Sequence, residues 1–195
     1  MVGVALVVAL AAPPAVELET VAAAVRRAPA WEVTFTQRYV PVGFTRGSEE
    51  TGTLLLRPPD GVRFAYANRV FAVLGTIARL VDLDAGSCEA ARLTADTLDR
   101  LPLSAVLDPG AARATFAVEA AARTLTLTPH EASDNPARIV LHIGADGLPT
   151  QVVVHDVSGD RNEFRLLRWR RRDAPADTVF APSLPGLPPC QPTNE

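Results

Sequence analysis

The residue types that most often carry out catalysis are few in this sequence and stand apart. The three histidines are His130, His142 and His155. None lies in an HExxH metal-binding pattern or a GxSxG nucleophile pattern. We therefore expect no catalytic residue, no metal site and no cofactor. A hydrolase assembled from scattered residues stays an open alternative, because catalytic groups meet in space and not in sequence.

Two pairs of carboxylates could work as general acid and base. They are Asp82 with Asp84 and Asp156 with Asp160. Each pair stands in a segment whose composition is typical of a turn, where Asp bonds the nearby backbone through its own side chain. Turn formation therefore explains these acids better than catalysis does.

One basic run has the charge for binding. It reads Arg168-Trp169-Arg170-Arg171-Arg172. On a strand, Arg168, Arg170 and Arg172 would share one face, with Trp169 and Arg171 on the other. The run fits an edge strand protected by charge. It also fits a docking patch for acidic partners or lipid phosphates.

Composition limits the class of protein that must position these residues. The chain has 195 residues, 48% of them hydrophobic and 21% charged, as is typical of one globular domain. A net charge of -3 argues against nucleic-acid binding, which requires a basic face. Cys88 and Cys190 fit either one disulfide in an oxidising compartment or two free thiols.

The N-terminus has features of an export signal. Val2 to Leu10 is an apolar run. Ala9-Leu10-Ala11 has small residues at the two positions that a signal peptidase recognises before its cleavage site. We predict a signal peptide over residues 1–11 and a mature chain from Ala12. The run is too short for a membrane-spanning helix. A buried N-terminal strand or helix is the alternative.

The remaining patterns predict mostly strands. Glu17 to Ala28 has helical periodicity, and Trp31, Val33 and Phe35 then alternate with polar residues as on a strand with one apolar face. Pro58 to Gly61 predicts a hairpin turn. Thr97 to Leu107 predicts a short or broken helix, because Pro102 lies inside it. Further strands and turns follow, up to a proline-rich tail.

We therefore predict an α+β fold, mainly β. Its centre is a single strongly curved antiparallel sheet, an open half-barrel with short helices covering its concave side. The expected organisation is one folded domain over residues 12–182 and a proline-rich C-terminal tail over residues 183–195, extended and partly mobile.

The order of several segments resembles the periplasmic outer-membrane lipoprotein carrier family, LolA. Val33 to Gln37 is similar to that family's "ASFTQ" strand. Gly52 to Pro59, followed by Val62 to Tyr66, is similar to its "G-x-L-x-x-x-R-P" hairpin. Leu101 to Leu107 matches its lid helix and Leu125 to Pro129 its "LTP" strand, and Gly147 to Pro149, Asp156 to Asn162 and Phe180 to Pro182 match later segments.

The resemblance implies a periplasmic carrier whose apolar cavity shields acyl chains. Its partners would be an acylated lipoprotein or other envelope lipid, with an inner-membrane donor and an outer-membrane acceptor, and we expect a monomer. Alternation along the strands nominates lipid-binding residues, although ordinary core packing explains each equally well. These residues are Trp31, Val33, Phe35, Leu54, Leu56, Val62, Phe64 and Leu101.

The resemblance also implies an arginine that holds the lid by hydrogen bonds. An ungapped alignment on Gly52 and Pro59 places Pro58 at that position and Arg57 one residue earlier. A shift of one residue on a strand reverses the side-chain face. Arg57 can thus be the lid latch if a local bulge turns it inward; otherwise the lid is held differently.

Two other classes of function stay open beside the carrier. A sensor or lipid-binding module of the envelope could use the same fold without transferring lipoproteins. A hydrolase of envelope lipids would need a nucleophile, and the sequence contains no recognisable one.

Overall fold

The computed structural model describes residues 15–131 and 136–192, so the predicted signal peptide lies outside the described residues. The helices are α1 (Leu18–Val25), α2 (Ala95–Asp99), α3 (Ser104–Leu107) and α4 (Pro109–Thr115). The strands are β1 (Ala30–Val40), β2 (Ser48–Arg57), β3 (Gly61–Ala65), β4 (Arg69–Leu74), β5 (Ile77–Asp82), β6 (Ser87–Arg92), β7 (Phe116–Ala121), β8 (Thr124–Pro129), β9 (Arg138–Ile143), β10 (Pro149–His155) and β11 (Arg161–Arg172).

All of these strands form one antiparallel sheet. Their order is β6-β5-β4-β3-β2-β1-β11-β10-β9-β8-β7. Strands that follow each other in each half of the chain pair by hairpins, and β1 joins the halves by pairing with β11. Because β6 and β7 are the two edges, the sheet is an open half-barrel. The prediction of a mainly β fold with a few short helices is confirmed.

The alternation predicted for β1 is present and explains which face is buried. Trp31 is 5% exposed, and Val33 and Phe35 are fully buried. On β2 the residues facing Val33 and Phe35 are Leu54 and Gly52. A β-carbon on Gly52 would lie 2.7 Å from the Phe35 ring and 2.6 Å from a backbone oxygen, so the aromatic ring occupies the space of the missing side chain.

Both predicted helical segments occur, with different bounds. Helix α1 begins one residue after Glu17 and buries Leu18, Val21 and Val25 completely. The segment predicted as a broken helix forms α2 and α3, with Pro102 between them. Proline lacks an N–H and clashes with the preceding turn, so one continuous helix could not form there.

Helix α4 was not predicted from the sequence. Asp108 caps it, accepting a hydrogen bond from the Ala111 N–H at 3.1 Å, and proline occupies the first helical turn. An acidic N-cap followed by proline is a known helix-start signal. The Asp-Pro-Gly composition resembled a turn, and this is why the helix was missed.

The C-terminal segment is attached to the sheet at two points. Residues Asp177–Phe180 form a 3₁₀ turn that buries the Phe180 side chain completely. Further on, Cys190 forms a disulfide with Cys88 on β6. Of the two alternatives left by the sequence, one disulfide or two free thiols, the structure has the disulfide. The C-terminal segment is thus attached by burial of the Phe180 ring and, within residues 183–195, by the covalent bond of Cys190.

Candidate functional site

A large cavity lies between the concave face of the sheet and the segment that carries α2 and α3. Its volume is about 700 Å³, within the range of ligand pockets in proteins. Most of its wall is apolar. Its lining residues are Gln37, Leu54, Pro59, Asp60, Val62, Phe64, Tyr66, Arg69, Phe71, Val73, Gly75, Thr76, Leu80, Leu98, Asp99, Leu101, Pro102, Leu103, Ser104, Leu107, Asp108, Val152, Phe164 and Leu166.

The cavity occupies only one half of the half-barrel. Its strand wall comes from β2, β3, β4 and β5, and from β1, β10 and β11 in the middle of the sheet. Helix α1 lies near the other half, where Arg27 donates a hydrogen bond to the backbone oxygen of Asp146 in the β9–β10 turn. The buried face of α1 fills that region as ordinary core. The open volume thus remains under α2 and α3.

Four of the eight nominated residues line the cavity. They are Leu54, Val62, Phe64 and Leu101. The other four, Trp31, Val33, Phe35 and Leu56, lie in the adjoining core with at most 5% exposure. Alternation identified the inward face of β1 and β2 correctly, but it could not separate cavity wall from filled core.

Several cavity residues were missed by the sequence reasoning. On β4, Phe71 and Val73 continue the inward row of Phe64 and Val62, to which they are register partners. Phe164 and Leu166 reach the cavity from β11. The same two-residue alternation marks these positions in the sequence. Only the strand order shows that β4 and β11 border the same space as β2.

Polar side chains stand at one end of the cavity, near the β1–β2 and β3–β4 turns. The Tyr66 hydroxyl donates a hydrogen bond to the side-chain oxygen of Gln37, whose amide donates to Asn162 at 2.7 Å. The Arg69 guanidinium lies 4.1 Å from the centre of the Tyr66 ring and pairs with Glu50. Each polar group is therefore satisfied within the protein.

Burial raises the pKa of the Tyr66 hydroxyl to about 12. Because the neutral phenol is the favoured form in the folded protein, Tyr66 stabilises the fold below its unfolded pKa of about 10. This contribution is lost as the pH rises from there through the folded pKa. The shift reflects the low polarity of the cavity wall.

A titration of tyrosine absorbance should detect this shift. The chain has two tyrosines, so a Tyr39→Phe variant leaves Tyr66 as the only phenol. We expect its ionisation midpoint near 12 while circular dichroism still reports a folded protein. A midpoint near the ordinary value of about 10 in the folded protein would show that water reaches the hydroxyl freely.

Arg57 lies on the face of the sheet opposite the cavity. The pairing of β2 with β1 through Leu56, and with β3 through Arg57, has no bulge, so the Arg57 side chain is on the face opposite that of Leu54 and Leu56. The guanidinium donates to the Pro175 backbone oxygen at 3.0 Å and to Asp177 at 2.7 Å, and it stacks over Phe180. The structure thus places the expected lid latch against the C-terminal segment.

The segment over the cavity is held by different groups along its length. Helix α2 has no buried residue, whereas α3 buries Ala105 and Val106. Arg26 on the α1 side donates a hydrogen bond to the Leu107 backbone oxygen at 2.9 Å. Burial, with the charges of Asp108 and Asp96, raises the pKa of Asp99 at the cavity edge. The α3 end is therefore anchored, and the α2 end has the weaker packing.

The three histidines make separate local contacts. His142 lies beside Thr124, His155 beside Arg138, and His130 beside the Arg113 backbone oxygen. Within residues 15–131 and 136–192, no cluster of His, Cys, Asp or Glu could hold a metal ion. Over the same residues no helix is long and apolar enough to cross a membrane.

Comparison with solved structures finds similar folds at low identity. A lipoprotein-sorting protein domain from Vibrio parahaemolyticus is 11% identical, with 84% of this chain and 95% of that chain covered and a TM-score of 0.48. A LolA superfamily protein from Nitrosomonas europaea is 11% identical, with 84% and 94% covered and a TM-score of 0.46. Lipoprotein LppX of Mycobacterium tuberculosis is 10% identical, with 80% and 93% covered and a TM-score of 0.44.

No curated protein sequence matches the chain significantly. The sequence model of one family, by contrast, matches residues 26–183, from the end of α1 through β11 to the C-terminal segment. That family is described as outer membrane lipoprotein carrier protein LolA. The matched region includes all the strands and the helices over the cavity. The chain therefore belongs to the LolA family of outer membrane lipoprotein carrier proteins.

Proposed function

We propose that this protein is a non-enzymatic periplasmic carrier of acylated lipoprotein or another envelope lipid. It would shield acyl chains in its cavity during transfer toward the outer membrane. It would work as a monomer, with an inner-membrane donor and an outer-membrane acceptor. The observation that carries the proposal is the apolar cavity of about 700 Å³ under α2 and α3.

The chemistry of the cavity suits acyl chains. Each CH₂ group removed from water contributes about 0.8 kcal/mol, so an apolar wall binds a long chain without any specific polar contact. The residues nominated for this contact are the wall residues Leu54, Val62, Phe64 and Leu101, with Trp31, Val33, Phe35 and Leu56 supporting the wall from behind.

The segment with α2 offers a route for loading and release. A carrier must open, so the closed state can be favoured only modestly over the open one. Because α2 contributes no buried side chain, few tightly packed contacts would be broken when it moves. The anchored α3 end would act as the fixed side of that motion.

The disulfide supports a periplasmic location. Structural disulfides persist in oxidising environments such as the bacterial periplasm and are rare in the cytosol. The pairing of Cys88 with Cys190 therefore fits an exported protein, as does the predicted signal peptide.

Native mass spectrometry of protein purified from membranes tests the function. We expect the wild type to carry bound acylated peptide or lipid. A Val62→Trp variant should lose at least about nine-tenths of that ligand, because extra volume at the cavity wall blocks the space and overpacking resists rearrangement. Val42→Trp makes the same change at a residue that is 58% exposed and outside the cavity lining, so it should retain the ligand.

The identity of the ligand separates the alternatives. Acylated peptide supports a lipoprotein carrier, whereas free lipid alone supports an envelope lipid-binding or sensor module on the same fold. An empty wild type, or equal loading of wild type and Val62→Trp, would contradict a lipid-binding role for this cavity.

A further inference from the structure

A basic surface lies on the convex face of the sheet, opposite the cavity. It follows β11, where Leu166 and Trp169 point into the core and their neighbours point outward. We define the arginine patch as the outward residues Arg165, Leu167, Arg168 and Arg170, all of them exposed. None of these side chains lines the cavity.

A bulge in β11 adds a leucine to this patch. Phe35 on β1 is the register partner of Leu166, and Thr34 is the partner of Arg168. Leu167 is thus an extra residue between them, turned to the outside with 61% exposure. Without the bulge, strict alternation would turn either Leu167 or Arg168 to the other face. The bulge therefore places an apolar side chain among the arginines.

On β1 the register partner of Arg170 is Glu32, whereas those of Arg165 and Arg168 are threonines. Among the residues the structure describes, no ion pair involves Arg165, Arg168 or Arg170. The carboxylates of β1 and β11 are Glu32 and Glu163. Glu32 accepts hydrogen bonds from Arg172, and Glu163 accepts them from Arg38 and Arg161. The patch is therefore a local excess of positive charge on a chain whose net charge is -3.

The patch is also open to a flat partner. Strand β10 pairs with β11 only over Arg161 to Arg165, so the arginine-rich end extends beyond it. The C-terminal segment covers another part of the convex face, where it contacts Arg57 and Cys88. Beside the patch, the outward face of β1 carries the small side chains Thr34 and Thr36, the register partners of Arg168 and Arg165.

We propose that the arginine patch binds the surface of an anionic lipid bilayer. Arginine forks bind phosphate oxygens in pairs, and an exposed apolar side chain among basic residues can insert at the head-group boundary. Stable protein interfaces need an apolar, well-packed centre, which one leucine does not supply. At an anionic lipid surface, by contrast, each basic side chain contributes separately to the binding free energy, and no shape complementarity is needed. An acidic protein partner therefore fits this surface less well.

The net negative charge does not prevent this binding at moderate salt. At about 0.1 M ionic strength the Debye length is about 10 Å, so acids on distant faces are screened from the membrane. The charges of the patch act at contact distance. Binding should weaken as salt increases, because its main contribution is electrostatic.

Vesicle co-sedimentation with the full chain tests the proposal. We expect binding to phosphatidylcholine vesicles that contain phosphatidylglycerol and little binding to phosphatidylcholine alone. A triple variant with Arg165→Gln, Arg168→Gln and Arg170→Gln should bind roughly 100-fold more weakly, since each arginine at an anionic surface contributes about fivefold. A Leu167→Ser variant should lose about fivefold by exposing less apolar surface to the head groups.

The matched control removes the same charge elsewhere on the surface. Arg46→Gln, Arg92→Gln and Arg123→Gln change three exposed arginines outside the patch and the cavity. This control triple should bind vesicles within about threefold of the wild type, since its charges are distant from the bilayer. Circular dichroism and thermal unfolding of both triples show that the fold is kept.

Three outcomes would overturn the membrane proposal. The two triple variants could bind vesicles equally, or the wild type could bind neutral vesicles as well as anionic ones. Binding to a soluble poly-glutamate peptide without binding to vesicles would instead favour an acidic protein partner. The proposal does not rest on the cavity. The Val62→Trp variant should bind vesicles as the wild type does, so a failure of lipid carriage and a failure of surface binding can be told apart.

Discussion

Replacing Phe35 by alanine should destabilise the fold by about 3–5 kcal/mol, the usual cost of removing a fully buried aromatic side chain. Phe35 is fully buried, and its ring centre lies 5.5 Å from Phe64, 5.3 Å from Tyr66 and 6.0 Å from Phe164. The contacts with Phe64 and Tyr66 are edge-to-face, a geometry that stabilises beyond simple burial. For a chain of this size the melting temperature should fall by roughly 6–20 °C.

Thermal or urea unfolding measures this effect, and Phe44→Ala is the matched control. Phe44 is 69% exposed in the β1–β2 loop, so the same truncation there should change stability by no more than about 0.5 kcal/mol. Because Phe64 and Phe164 also line the cavity, Phe35→Ala should weaken ligand retention as well. Equal stability of the two variants would show that the aromatic cluster does not support the cavity wall.

Removing the disulfide by Cys88→Ala with Cys190→Ala should lower the free energy of unfolding by about 2–5 kcal/mol. The bond joins residues 102 positions apart, so it restricts a long loop in the unfolded chain. The folded state should survive, because Phe180 stays buried and the Arg79 side chain, 9% exposed, donates a hydrogen bond to the Cys190 backbone oxygen at 3.0 Å.

Denaturant unfolding with and without a reducing agent checks this expectation. The reductant should destabilise the wild type by as much as the double substitution does, and it should have no effect on the double variant. A double variant as stable as the oxidised wild type would mean that the non-covalent contacts of Phe180 and Arg57 already hold the C-terminal segment.

The sequence was sufficient to predict the strands and helices whose residue pattern follows directly from burial or from proline. Trp31, Val33 and Phe35 alternate because one face of β1 packs against the core, and this pattern is visible in the printed sequence. Pro102 interrupts a helical pattern because proline cannot continue a helix, and the structure has α2 and α3 on either side.

Local reasoning failed where two local signals conflicted or where the deciding contact was distant. Asp108, Pro109 and Gly110 suit both a turn and a helix start, and the structure forms α4. Arg57 is one residue from the position expected of a lid latch, and the strand register turns it to the convex face. The proline-rich composition of the tail does not reveal that Cys190 pairs with Cys88.

From its residues alone, the sequence determined a curved antiparallel sheet with an apolar inner face, few catalytic residue types and a segment order typical of lipoprotein carriers. Only the tertiary structure decided that Leu54 and Val62 face open space while Val33 and Leu56 are packed solid. Alternation records which side of a strand avoids water. Whether that side meets another side chain or a cavity depends on strand order and on where the helices lie, and residues far apart in the chain set both.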